Sequence, residues 1–328
     1  MVEILESIHR IEIPTPFPVG NVNCYLIEGS PLTLIDTGPY LEEGVTLIDK
    51  ALGKSHYSVT DIERVLLTHG HVDHVGNTRA IQEAVRASGH QEPEVWIHEM
   101  DSHRITDYEG YIERRMQAYW NVIISGGVPE EIVAEFSTEG MMKYFGQFGQ
   151  SVDSVSVFYE EQQFESGIGP IDYLWTPGHS LGSVCFLAHE REIVFCGDHV
   201  LGTISSNPSL DFEGRLGISM QRYLLSLDAI EPFSHYIPLP GHRDPIFDLG
   251  VRLNDLREDY RNKLRRTKDL LSNEPQSLFE LSRNLYGEYA RDSLILALAE
   301  THDLVRLLDR EGEAILTTKD DVIVVKSV

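Results

Sequence analysis

The densest chemistry in the sequence lies at Thr68-His69-Gly70-His71-Val72-Asp73-His74, where four metal-capable side chains fall between positions 69 and 74. The preceding run, RVLLTH, reads as a buried strand. A chain that leaves a strand into a tight turn can aim such side chains at one centre. Neutral imidazole and carboxylate suit zinc and similar borderline ions. Any one of these histidines alone could be an ordinary core or surface residue; three with an aspartate at this spacing point to metal. Three later residues fit the same pattern: His179 in TPGHSLGS, Asp198 in CGDH and His242 in PLPGHRDP. Each follows a short apolar run, and strand ends in a layered α/β fold gather on one edge. Gly178, Gly197 and Gly241 precede them, and glycine relieves crowding where loops approach an ion.

The elements that must position these residues are legible in outline. IHRIEIP, CYLIEG, LTLIDTG, EVWIHE, IDYLW, GSVCFLA, REIVF and HYIPLP read as strands. LEEGVTLIDKALGK, Asn77 to Ala87, SMQRYLLSLDAI and Asp248 to Leu271 read as helices. Residues 100–150 break the β-rich pattern with two or three helices, Pro129 standing at the first turn of one. This insert is either an ordinary helical core or a cap over an apolar pocket. In the second case Tyr119, Trp120, Met141, Tyr144 and Phe145 are the candidate substrate contacts. The tail from Pro275 gives two helices and a hairpin turning at Lys-Asp-Asp, the outline of a winged helix-turn-helix. The division expected is a catalytic domain over 1–250 and a linking helix plus winged-helix domain over 251–328.

The 328 residues carry a formal net charge of −25. Residues 251–328 hold 13 Lys+Arg against 15 Asp+Glu, so almost all the excess lies in the first 250. Such a body repels polyanions, which disfavours nucleic acid as a partner. Cys24, Cys185 and Cys196 form no CxxC pair; they read as small buried hydrophobes in a reducing compartment. The start, MVEILESIHRIEIP, has no signal-peptide pattern and no run is long enough to span a membrane. A cytoplasmic protein without membrane contact is expected. Nucleotide-dependent chemistry and a Ser-His-Asp hydrolase are not.

With these residues in view, the sequence resembles the metallo-β-lactamase superfamily, whose signature is HxHxDH. The resemblance covers nearly the whole chain and implies an αββα sandwich, here with a helical insert and a small C-terminal winged-helix domain. It assigns His69, His71 and His179 to a first metal, Asp73, His74 and His242 to a second, and Asp198 to a bridge between them. Asp36, in LIDTG, would support the cluster rather than ligate; a turn beside Gly38 is a compatible role. Two divalent ions are implied, zinc first and iron or manganese as alternatives. A metal-bridging hydroxide would attack, with Asp73 orienting it and handling its proton.

Within the superfamily the chain looks most similar to the β-lactamase-like protein 2 group, through GDHVLGT, the PGH segment, the long basic helix and the module ending ALAETHDLVRLLDREGE. Glyoxalase II-like thioesterases and single-strand endoribonucleases occur among such relatives. The expected substrate is a small acyl thioester or related ester, with Arg257, Arg261, Lys263, Arg265, Arg266 and Lys268 either meeting a CoA-like carrier or forming a solvated face. RNA cleavage and a non-catalytic DNA regulator stay open as alternatives, as does a homodimer.

Overall fold

The structure is a computed structural model that describes residues 1–41, 43–158, 161–210, 217–288 and 293–328. Among the described residues the strands form three sheets. The first runs in chain order through β1 (Val2–Leu5), β2 (Ile8–Ile13), β3 (Val22–Ile27), β4 (Thr33–Ile35), β5 (Arg64–Leu66), β6 (Glu94–His98) and β7 (Ser156–Phe158). It is antiparallel as far as β4 and parallel beyond. The second contains β8 (Gln163–Phe164), β9 (Ile171–Trp175), β10 (Val184–Ala188), β11 (Ile193–Gly197) and β12 (Ile237–Pro240) in reverse order, with β11 and β12 parallel.

The two sheets face each other across Tyr25, Ile27, Leu66, Phe164, Phe186, Phe195 and Leu239. The outer face of the first is covered by α1 (Gly44–Leu52) and α3 (Thr78–Ser88); the one-turn α2 (Val72–Val75) lies between them in sequence. The outer face of the second is covered by α8 (Ser219–Ile230) and α9 (Leu249–Leu270). This is the expected αββα sandwich. Because β3, β10 and β11 are covered on both faces, every residue in them is buried, and they read as continuous apolar runs rather than alternating ones. Asp248 caps α9 by accepting from Val251 N at 2.9 Å.

The insert has four helical segments, not two or three: α4 (Glu99–Thr106), α5 (Tyr108–Ser125), α6 (Glu130–Val133) and α7 (Thr138–Gly146). Asp107, at φ −132° and ψ 56°, separates α4 from α5, and Pro129 stands one residue ahead of α6. The strands β1, β7 and β8 were not expected; two to four residues are too few for a period to show.

The C-terminal residues form α10 (Leu278–Tyr286) and α11 (Leu294–Arg310), followed by the hairpin β14 (Ala314–Lys319) and β15 (Val322–Ser327), which β13 (Gln276–Ser277) extends. Asp320 and Asp321 both take positive φ at the turn, as a tight two-residue hairpin requires. These elements do not stand apart. Ile123 of α5 shares a core with Leu281, Leu298, Val305 and Val325, and Leu304 and Leu307 pack with α8 and α9. Insert and tail therefore brace one another over the same end of the sandwich. No helix among the described residues is long and apolar enough to cross a membrane.

Candidate metal centre

The residues in question all sit just beyond strand ends on one edge. β4 and β5 run parallel, so Asp36 and the turn at 69–74 emerge together. β9 is antiparallel to β10 and β10 to β11, so β9, β11 and β12 also run one way. They deliver His179, Asp198 and His242. Backbone bonds stitch the sheets at this edge: Val184 N donates to Thr68 O at 2.9 Å and Asn23 N to Gly241 O at 2.7 Å. A methyl group on Gly241 would meet Asp198 Oδ1 at 2.5 Å, so only glycine fits there.

Potential ligand atoms converge in three overlapping groups, each within 4.8 Å: His69, His71 and His179; His69, His74 and Asp198; Asp73, His74 and His242. The hydrogen-bond network fixes how these imidazoles point. His74 Nδ1 lies 2.8 Å from Asp36 Oδ2, His242 Nδ1 lies 2.9 Å from Asn21 O, and His179 Nδ1 contacts Ser206 O. Carboxylate and carbonyl oxygens only accept, so each Nδ1 carries the hydrogen and each Nε2 offers a lone pair. Yet His74 Nε2 lies 3.2 Å from His242 Nε2, lone pair against lone pair, while His179 Nε2 can accept the hydrogen of His71 Nδ1 at 2.7 Å, which leaves the lone pair of His71 Nε2 bare. His69 Nε2 and His71 Nε2 are buried without a hydrogen-bond partner. Buried lone pairs crowded together are unfavourable unless a cation sits among them. The donor set therefore fits divalent metal.

The electrostatics agree. Burial, aided by His74, holds His69 well below the ordinary imidazole pKa; burial, aided by Arg115, does the same to His71; burial also lowers His179. These stay neutral, the ligating form. At Asp198 burial opposes ionisation, but His242 and His74 outweigh it and hold the carboxyl well below its usual range. At His74 and His242 burial opposes charge, and Asp198 overcomes it at both. The carboxylates thus call for positive charge at this spot, which protons or metal ions supply.

Asp36 takes the supporting position. It is 1% exposed, sits at φ 58°, accepts from Thr68 N at 2.9 Å and Thr68 Oγ1 at 2.8 Å, and orients His74. Asp36→Asn is expected to weaken metal affinity by about 10–100-fold. Metal titration of the variant measures this, and unchanged affinity would remove Asp36 from the supporting role.

Asp101 is a residue of the site that the sequence does not single out. Its buried carboxylate accepts from Gly70 N at 2.7 Å, Ser180 Oγ at 2.6 Å and Gly182 N at 2.9 Å, and pairs with Arg104 at 3.2 Å. It ties the His69–His74 turn to the His179 loop. Gly178-His179-Ser180-Leu181-Gly182 also has the G-x-S-x-G spacing of a serine-hydrolase nucleophile, although no such chemistry was expected. Ser180 is fully buried and bonded to Asp101 and Ser183, so it is a strut rather than a nucleophile.

A cavity of about 400 Å³ opens on His71, Asp73, His179 and Asp198. Of the expected substrate contacts, Tyr119 and Phe145 line it. Trp120, Met141 and Tyr144 do not. The cavity-facing stripe of α5 is Tyr111, Ile112, Arg115 and Tyr119, at the 3.6-residue period; Trp120 lies about 100° around from Tyr119. Met141 packs into the small core of the insert, and Tyr144 is 43% exposed against Phe145 and Phe148. Phe17, Leu201, Ile204 and Ile295 complete the wall. The Tyr111-Arg115-Tyr119 spacing was the available signal for that stripe. His98 caps α4 and stacks on Trp175 at 5.5 Å. His103 meets the Tyr111 ring at 5.9 Å, and His199 is buried against Tyr223, turned away from the cavity.

A family model described as "Metallo-beta-lactamase superfamily" matches residues 17–271 and so takes in α9. The probable metallo-hydrolase YqjP of Bacillus subtilis is 26% identical over 315 residues, covering 93% of each chain. A beta-lactamase-like protein 2 homolog of Caenorhabditis elegans is 22% identical, covering 91% of this chain and 82% of its own. An atrochrysone carboxyl ACP thioesterase of Aspergillus novofumigatus is 23% identical, covering 84% of this chain and 63% of its own. A crystal structure of a metallo-beta-lactamase family protein from Thermus thermophilus superposes with TM-score 0.83 at 24% identity, covering 99% of this chain and 100% of that one.

Proposed function

The chain belongs to the metallo-beta-lactamase superfamily of metal-dependent hydrolases, and from that premise we propose that it cleaves a thioester or related carboxylic ester of a small, partly apolar acyl group. The observation that carries this reading is the cavity itself, in which Ile112, Phe145, Leu201, Ile204 and Ile295 surround the approach to the His/Asp cluster. A wall of this kind suits an acyl chain. Likeness to a protein named as an acyl-carrier thioesterase supports it.

His69, His71 and His179 would hold one ion, Asp73, His74 and His242 another, and Asp198 both. Bound there, divalent ions supply a water of lowered pKa and polarise the scissile carbonyl. Asp73 lies 3.4 Å from His242 Nε2 and on the cavity wall. Its burial opposes ionisation, but His242 and His74 keep its pKa below the ordinary carboxylate value. It is therefore an ionised acceptor on the cavity wall and would orient the water that bound ions supply and take up its proton.

The contrary readings have weaker support. Half of the basic series on α9 is matched by the protein's own acids: Arg257 pairs with Asp228 and Glu231, Lys263 with Asp259 and Glu300, Lys268 with Glu313. That reduces the charge an RNA strand would use. In α11, Leu298, Thr301, Val305 and Leu308 are among the many buried residues, which leaves little of it to enter a DNA groove.

The deciding experiment is a paired assay of metal-loaded protein on acyl thioesters and on single-stranded RNA, with His71→Ala as control. Thioester turnover that vanishes in the control is expected. Cleavage of RNA alone would overturn the reading.

A further inference from the structure

The stripe of α5 facing the cavity carries an unbalanced charge. Arg115 lines the cavity. Its Nε donates to Tyr119 Oη at 2.8 Å, and its Nη1 to Tyr111 Oη. Among the described residues no carboxylate pairs with it, although acidic residues outnumber basic ones in the chain by 52 to 27. Neighbouring Arg104 shows the ordinary solution: it also donates to Tyr111 Oη, at 3.2 Å, but Asp101 balances its charge.

Tyr111 Oη thus accepts from two guanidinium groups. Its own hydroxyl hydrogen has no acceptor among the described residues. Tyr111 is 5% exposed, and what exposure it has is to the cavity. Arg115 Nη2 likewise donates to no atom of the described residues. Two donors, one on a cation, therefore face a partly apolar cavity with nothing to receive them. Arg115 is half-buried, and a guanidinium partly withdrawn from water without a counter-ion is unfavourable, so a ligand anion is what completes this arrangement.

We propose that Arg115 and Tyr111 form a carboxylate cradle, so that the substrate is an acyl thioester or ester whose acyl group bears a second, free carboxylate. The planar guanidinium offers the two-oxygen geometry that carboxylates match, and the phenol adds a third donor. The cavity's other arginine, Arg243, is exposed and donates to Val19 O and Pro18 O, so Arg115 is the cation set among the apolar walls beside the two phenols. The inference rests on the ester-hydrolase reading for its reacting bond, but the cradle itself is independent of which bond is cut.

The test compares two thioesters of the same neutral thiol, one with a glutaryl and one with a pentanoyl group. Wild-type enzyme is expected to prefer glutaryl by about 10–100-fold in kcat/KM, the range of one charge-assisted contact. Arg115→Met and Tyr111→Phe should each shrink that preference, and Arg115→Lys, which keeps charge but loses the fork, should fall between wild type and Met. Metal content is measured in every variant. Equal use of both esters by wild type, or a ratio unchanged by Arg115→Met, would overturn the proposal.

Calorimetry with glutarate and metal-loaded protein separates the two readings. If no thioester is turned over but glutarate binds wild type at least tenfold more tightly than Arg115→Met, the ester reading fails and the cradle stands. Equal affinity for the two proteins would sink the cradle, whatever the turnover.

Discussion

Replacing Asp198 with alanine is expected to lower kcat/KM by at least about a thousandfold and to reduce the bound metal from two equivalents toward one. The residue's carboxylate lies 3.3 Å from His74, 3.6 Å from His179 and 3.5 Å from His242. It is the group shared by both halves of the cluster. Losing it removes the negative charge that favours a cation on either side. Several kcal/mol of charge stabilisation are at stake in such sites, and about 1.4 kcal/mol corresponds to tenfold in rate. Asp198→Asn keeps the shape and separates charge from volume, since the amide cannot bridge as an anion. Metal analysis alongside initial rates reads both effects. Near-normal activity with two metals retained would remove Asp198 from the centre.

Asp101→Ala should be the most destabilising single change near the site, costing about 3–5 kcal/mol, the usual range when one partner of a buried ion pair is removed. Both Asp101 and Arg104 are at most 1% exposed. Burial opposes the ionisation of Asp101, but Arg104, Ser180 and the Gly70 and Gly182 amides keep its pKa below the ordinary value. The alanine leaves Arg104 charged and buried, and it frees two backbone amides and a serine hydroxyl together. Denaturant unfolding of the single variant and of Asp101→Ala with Arg104→Met distinguishes the contributions. The double variant is expected to recover part of the loss, because it no longer buries the cation that Asp101 faces. A loss under about 1 kcal/mol in the single variant would mean that the carboxylate does not hold the two loops together.

The sequence by itself determined the centre. The cluster at His69, His71, Asp73 and His74, and the strand-end positions of His179, Asp198 and His242, are local patterns whose meaning comes from their number and spacing. The longer strands and helices announce themselves by period and by turn residues, and the family resemblance implied the sandwich they build. What surrounds the centre was decided by tertiary structure. Asp101 stands 79 residues from Ser180, and nothing in the sequence marks it as that residue's acceptor. Tyr119 was legible as an aromatic, but its difference from Trp120 is a matter of which side of α5 meets the cavity. In the Arg257–Lys268 series, folding brings Asp228, Glu231, Glu300 and Glu313 against Arg257, Lys263 and Lys268. Arg115 is the opposite case, an ordinary helix cation in the sequence that the fold places beside no acid among the described residues. Residue type and spacing reveal which atoms can do chemistry. Pairing and burial are set by contacts between distant segments, and these decide which charges are left for a ligand.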